Sequence, residues 1–292
     1  MELLLIRIAS ILVIGAVYTL FDILNKRNVP EVFAYGTLAF GAVLTVLYLD
    51  FNSILVSTAI ALVVLGLGYL VYRIGQIGAA DIIEFAAISL ILPFQAMPYL
   101  GNLQQFGLPF VLSVLVSSGI VALAMVPLYY LPRARRILKM PITSYIDNRG
   151  LFKATLITIV YALFVAFLGL DFGTGIAGLT IIAVLLVCSS IVMLFEKPIA
   201  NAMVEMVPVS KFDEGDIIAL NLMSKTDVLA MKRKVKGFDR LVTLKLLQQM
   251  RAKRIAAKFP VYKKAMPLAL PIFIGIVISL LFGNIILYLL PG

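Results

Sequence analysis

Apolar residues gather in eight long stretches separated by short polar or Gly- and Pro-containing junctions. The stretches run over roughly 3–21, 33–49, 53–72, 82–99, 108–131, 153–170, 174–195 and 267–290. A helix crosses the bilayer core with about 17–25 apolar residues, and every stretch falls in that range. The junctions carry residues that stop helices: Asn28 to Pro30, Asp50 to Ser53, Gly75 to Ala80, Pro98 to Gly101, Pro132, and Asp171 to Gly175. The pattern predicts an all-α polytopic membrane protein with about eight transmembrane helices, in which 153–170 and 174–195 form a helical hairpin. No internal repeat is visible. Met1 opens directly onto an apolar run with no small-residue cleavage site behind it, so the first stretch is expected to be a retained span.

The stretch 196–265 breaks the pattern. It holds fifteen Lys and Arg against seven Asp and Glu. Short β-like runs at Met203–Val209, Asp216–Met223 and Val228–Lys232 precede a predicted helix at about 239–258, capped by Asp239 after Gly237. Leu241, Leu244, Leu247 and Ile255 are expected to form its apolar stripe, against Lys245, Arg251, Lys253 and Arg254. This is a small basic α+β domain inserted before the last span. The chain then divides into a membrane core at 1–131, a basic loop at 132–152, an additional hairpin at 153–195, the basic domain at 196–265, and a C-terminal span at 266–292.

Composition agrees with the pattern. Of the 292 residues, 62% are hydrophobic and 14% charged, and the mean hydropathy is +1.06. A soluble domain has no interior large enough for so much apolar surface. The single Cys188 excludes an internal disulfide and a cysteine-based metal site, and the absence of His argues against zinc or histidine chemistry. No metal and no cofactor are expected.

Charge orients the chain. Every Lys and Arg except Arg7 lies in, or at the edge of, the connectors after spans one, three, five and seven. The connectors after spans two, four and six hold none. Positive loops stay in the cytoplasm, so both termini are expected outside and the basic domain inside, against anionic lipids. The basic residues come without a nucleic-acid module, and no nucleic-acid partner is expected.

The same count puts two acids on one face. Span one runs inward and ends near Asp22; span four runs outward and begins near Asp81. Acids at the edge of the hydrocarbon are candidates for function by default. Each also has a plain structural role. Asp22 and Lys26 are spaced for an i,i+4 ion pair, with Lys26 and Arg27 as stop-transfer charges and Pro30 opening the next element. Gly75, Gly78, Ala79 and Ala80 allow a tight turn, and Asp81 caps the helix that follows. Gly75 to Asp81 is not a phosphate loop, because no strand precedes it and no Lys-Ser/Thr follows.

Taken together, Asp22–Lys26–Arg27–Val29–Pro30 and Gly78–Ala79–Ala80–Asp81, 59 residues apart, resemble the paired motifs of the type IV prepilin peptidases and archaeal preflagellin peptidases. These are GxGD-type intramembrane aspartyl proteases. Met266–Pro267 through Pro271–Ile272 and on to Gly292 is similar to their final helix. Pro208 to Ile217 is similar to the start of their cytoplasmic insert. The likeness covers about 1–130 and 200–292; the hairpin at 153–195 has no counterpart in the simplest six-span members. The cysteine-rich region of bacterial members is missing, so methyl transfer is not implied. Two positions depart from the motif. Ala80 replaces a frequent Gly and should stiffen the turn before the acid. Glu84 replaces a frequent Lys and adds a like charge one helical turn from Asp81.

The resemblance implies an aspartyl endopeptidase at the cytoplasmic membrane face, with Asp22 and Asp81 as catalytic pair and Gly75, Gly78, Ala79, Ala80, Lys26, Arg27 and Pro30 supporting the motif. The implied substrates are pilin-like or archaellin-like precursors, each a short basic leader followed by an apolar helix. Two other readings stand beside it: an ion-coupled transporter using Asp22 and Asp81 as a relay, and a scaffold in which both acids only cap helices.

Overall fold

The structure is a computed structural model. It describes residues 2–25, 29–48, 50–74, 77–94, 108–138, 146, 148–171, 176–235, 237–253, 255, 257–264 and 266–289. The fold is mostly helical. In chain order the helices are α1 (Glu2–Leu24), α2 (Glu31–Tyr48), α3 (Phe51–Arg73), α4 (Ala79–Ile91), α5 (Phe110–Leu138), α6 (Asn148–Asp171) and α7 (Ile176–Leu194). After them come α8 (Glu196–Met203), strand β1 (Glu205–Pro208), α9 (Lys225–Lys234), α10 (Leu244–Ala252), strand β2 (Lys258–Val261) and α11 (Ala269–Phe282).

Among the described residues four helical stretches are long and apolar enough to cross a membrane: Leu3–Leu24, Phe51–Arg73, Phe110–Arg136 and Gly150–Phe167. A fifth arises if Gly178–Leu194 and Glu196–Met203, bent by 76° at their junction, count as one span. Three expected spans are short. α2 is 18 residues, and α4 and α11 have 13 and 14. At 1.5 Å per residue the last two are about 20 Å long, against a hydrocarbon core of about 30 Å. The reasons are local. Leu92 precedes Pro93 and is forced out of the helical region to φ −134°, ψ 82°, which ends α4. Gly283, at φ 76°, ends α11. Conversely, α5 passes straight through Pro127 and Pro132 and takes in the start of the expected basic loop.

α4 is the centre of the bundle. It lies between α2 and α3, touches α1 and α5, and buries nine of its residues. Ile11, Leu44, Phe85, Ile88, Phe110, Val114, Ile272 and Ile276 belong to one core joining α1, α2, α4, α5 and α11. α11 presses closest on α5. A Cβ at Gly275 would sit 2.7 Å from the Ser118 nitrogen, so only glycine permits this crossing. Beside it Ser117 and Ser279 share a hydrogen bond of 3.1 Å, satisfying two buried hydroxyls that hydrocarbon would leave unpaired. α6 and α7 form the expected hairpin, joined by Thr158–Ser190, while the Lys153–Glu196 ion pair ties α6 to the start of α8, and α7 rests on α5.

The basic domain has its own core, including Val207, Phe212, Ile218, Val235, Phe238, Met250, Phe259 and Val261. β1 and β2 pair antiparallel, Glu205 opposite Val261. Of the expected β-like runs, the first contains β1, and the second supplies the single bridges Ile217–Leu241 and Ile218–Val261. The third, Val228–Lys232, is helical within α9. Ser224 accepts the Asp227 N–H as N-cap, and Lys232, Arg233 and Lys234 sit at the negative end of the helix, which outweighs two β-branched residues. The predicted helix at 239–258 is likewise shorter. Thr243, not Asp239, is its N-cap, because Leu241 and Val242 are held extended against Ile217 and Asp216. Its buried face is Leu246, Leu247 and Met250, while Leu244 is exposed. α8 is fastened to α5 by Tyr130, Ala134, Ile199 and Ala202.

Candidate functional site

Four helix ends meet at one end of the bundle: the last turns of α1 and the first turns of α2, α4 and α11. Tyr18, Val29, Ala34 and Ala269 form a small core there, with Phe21, Phe33, Ala80 and Ile83 packed against it. Asp22 and Asp81 both belong to this end of the bundle.

Asp22 closes α1 and is only 7% exposed. Its Oδ2 accepts the backbone N–H of Ala269 at 3.0 Å. Ala269 is the first residue of α11, whose opening N–H groups lack intrahelical acceptors and carry the positive end of the helix dipole. Thr19, one turn back, lies 2.8 Å from the Gly15 carbonyl and 3.2 Å from that of Ala269. Both polar side chains of the α1 terminus therefore address the same residue of α11.

Asp81 is the third residue of α4. Its Oδ2 accepts the Gly78 N–H at 3.1 Å, so it caps the helix from inside its first turn. A Cβ at Gly78 would lie 2.8 Å from that same oxygen, which is why glycine stands there. Ala79 and Ala80 are helical, so Ala80 does not stiffen a turn before the acid, as the sequence predicted. It extends the helix around Asp81 and packs against the Tyr18–Ala269 core. Pro30 opens α2 as expected, and its carbonyl accepts the Ala34 N–H at 3.0 Å. Lys26, Arg27 and Gly75 lie outside the described residues.

The two aspartates are close enough for the charge of Asp22 to act on Asp81. Both act on a third acid, Glu84, one turn deeper on α4. Glu84 is fully buried, and neither carboxyl oxygen has a hydrogen-bond partner among the described residues. It faces α1 at Gly15, where a Cβ would come within 3.9 Å of Glu84 Oε1 and 3.0 Å of Phe273 Cδ2. Tyr18 stands in the field of Asp81 and Glu84 and shares a 3.0 Å hydrogen bond with Thr37 of α2.

Sequence reasoning named Asp22, Asp81 and Glu84 but passed over Tyr18, Thr19 and Ala269. For the first two there was a signal. Gly15, Tyr18, Thr19 and Asp22 recur at three- and four-residue spacing, one stripe of small and polar residues on the C-terminal half of a mostly apolar helix. Ala269 acts through its backbone and leaves no such trace. Among the described residues, no group of three His, Cys, Asp or Glu side chains is placed to hold a metal ion.

A groove of about 910 Å³ runs along the outer side of α1 and α2. Ser10, Ile14, Phe21, Pro30, Gly36 and Thr37 are among its walls. Phe21 and Pro30 bring its upper end beside Asp22. No family model, no curated protein and no solved structure matches the chain.

Proposed function

We propose that the chain is a membrane aspartyl endopeptidase working at the cytoplasmic end of its bundle, on precursors that carry a short basic leader ahead of an apolar helix. The observation that carries the reading is the pairing of Asp22 and Asp81, contributed by different helices, buried or half-buried, and within each other's electrostatic reach. The motif resemblance gives the substrate class. The groove on α1 and α2 offers an apolar helix a seat from which its polar end reaches Asp22.

Two carboxyls sharing one negative charge suit amide hydrolysis. The ionised member takes a proton from water as the water oxygen bonds to the scissile carbon. The protonated member gives its proton to the carbonyl oxygen. The tetrahedral intermediate then collapses: the carbon–nitrogen bond breaks as the pair gives its proton to the leaving nitrogen, and a hydroxyl of the intermediate returns one proton to the pair as the new carboxyl forms. One water is consumed and the pair again holds one proton. Which aspartate plays which part belongs to the pair rather than to either residue. The basic domain, repelling a basic leader, holds the enzyme on anionic lipid instead of gripping substrate.

The test is cleavage of a pilin-like precursor in membranes by the wild type and by Asp22→Asn and Asp81→Asn. Both variants are expected to fold and to lose cleavage; full activity in either removes the pair from the mechanism. A second reading, an ion-coupled carrier, draws support from Glu84, which extends the acids into the bundle. Acid-dependent flux in proteoliposomes without proteolysis would favour it.

A further inference from the structure

We propose that Glu84 is the third member of the acid site, a positioning residue that exchanges a proton with the Asp22–Asp81 pair without touching substrate. The inference rests on the endopeptidase reading for its kinetic consequence, though not for the coupling itself.

The argument starts from a buried side chain with nothing to pair with. Glu84 is wholly enclosed, and both its oxygens lack partners among the described residues. An isolated carboxylate in such a place costs several kcal/mol, roughly, and natural interiors avoid it. Glu84 Oε1 faces α1, lying 3.9 Å from where a Cβ at Gly15 would stand, an ordinary contact distance. Gly15 makes room for α11, since the same Cβ would meet Phe273 Cδ2 at 3.0 Å and Ile276 Cδ1 at 3.1 Å.

The titratable groups facing Glu84 are few. From its own helix there is Asp81, from α1 Asp22 and Tyr18. Of the other elements packed against α4 or α1, none of α2, α3, α5 and α11 supplies a charge that acts on Glu84 among the described residues. Asp81 and Glu84 stand at i and i+3 on α4, so both project from one face. Gly15, Tyr18 and Asp22 project from the facing side of α1. The result is a short ladder: Asp22 and Asp81 at the open end, Glu84 at the closed end. Three carboxyls in mutual reach hold their protons as a set. Substrate chemistry moves one proton on and off the outer pair, and Glu84 is the only other carboxyl among the described residues placed to take or return it. A group at the closed end, buried from solvent, does this without touching substrate.

The experiment has two arms. The first is infrared titration of the full chain in lipid nanodiscs, following the carboxyl C=O bands. A protonated-carboxyl band is expected to vanish in Glu84→Gln. The pH dependence of that same band is expected to shift in Asp22→Asn and in Asp81→Asn, variants that leave Glu84 in place. An unshifted band in both aspartate variants overturns the coupling. The second arm is the pH profile of kcat/KM on a pilin-like precursor. In Glu84→Gln the alkaline limb is expected to move by about one pH unit, with KM unchanged, because one member of the coupled set no longer titrates. Glu84→Asp is expected to restore part of the shift. A profile identical to wild type in both variants overturns the proposal while leaving the aspartate pair intact. Coupled infrared bands in a protein that cleaves nothing support the ladder and instead remove the endopeptidase reading.

Discussion

The carboxylate of Asp22 accepts the backbone N–H of Ala269 at 3.0 Å, tying the end of the first helix to the start of the last across 247 residues of chain. The bond gives Asp22 two separable roles. An Asn keeps an oxygen able to accept the Ala269 N–H but holds no proton to exchange. An Ala leaves that N–H buried without a partner, which costs about 1–3 kcal/mol. Asp22→Asn is therefore expected to melt near the wild-type temperature and to be inactive. Asp22→Ala is expected to be inactive and to melt several degrees lower. Thermal unfolding in detergent or nanodiscs, read beside the cleavage assay, separates the two.

The crossing of α5 and α11 sets the position of Ala269, so it also sets the site. Gly275 has the Ser118 backbone within 3 Å of where its Cβ would be, and backbone does not give way as a side-chain tip does. Gly275→Ala is expected to cost about 1–3 kcal/mol by overpacking and to lower cleavage by displacing α11. Gly66 of α3 has nothing within 4 Å of that point, so Gly66→Ala is expected to change stability by less than about 0.5 kcal/mol. Melting of the two variants side by side tests whether the α5–α11 contact, rather than glycine content, governs stability.

The aspartate positions were legible in the sequence because charge asymmetry and helix-breaking junctions are one-dimensional signals. Gly78 and Pro30 announce helix starts by themselves. The lengths of α4 and α11 were less legible: apolar residues continue past Ile91 and Phe282, and only the geometry of Leu92 before Pro93 and the positive φ of Gly283 show where helix stops. Val228–Lys232 read as strand because it opens on a β-branched residue in a short apolar run, while the deciding interaction, Ser224 with the Asp227 N–H, lies just before it. Ala269 was invisible, because what it offers is a backbone group exposed by the start of a helix. The role of Glu84 was half legible. Its like charge near Asp81 could be read, but not its burial without a hydrogen-bond partner among the described residues, which depends on the packing of other helices around α4.

Lys263 holds the basic domain to pH. Its ammonium reaches Asp213 at 2.7 Å and Asp216 at 2.8 Å. Burial alone would lower its proton affinity, and the two carboxylates outweigh that, so its pKa stands above the ordinary 10.5. The raised value means that this contribution to stability is whole below about pH 10 and is lost as the pH rises through the folded-state value. With the side chain 28% exposed, the cluster is worth about 0.5–1 kcal/mol. The difference in calorimetric melting temperature between wild type and Lys263→Met is expected to be constant from pH 7 to 9 and to shrink toward zero as the pH rises beyond the ordinary lysine value of 10.5. A difference that persists at high pH would mean that Lys263 acts by packing alone.

The groove on α1 and α2 separates substrate seating from chemistry. Gly36 lines it and has open space where a side chain would begin, so a large residue there fills the groove without disturbing a packed neighbour. The hydrocarbon around the bundle tolerates the added ring, and the aspartate pair does not touch Gly36 through any hydrogen bond described. Gly36→Trp is therefore expected to melt within a few degrees of wild type and to keep the Glu84 infrared band. On an apolar precursor its kcat/KM is expected to fall at least tenfold, roughly the loss of one well-packed anchor of 1.4 kcal/mol or more. A short water-soluble peptide spanning the cleavage junction carries no apolar helix to seat, so its slower hydrolysis is expected to be the same in variant and wild type. Equal loss on both substrates would place the effect in the aspartate pair, and no loss on either would move the precursor's helix to another face of the bundle.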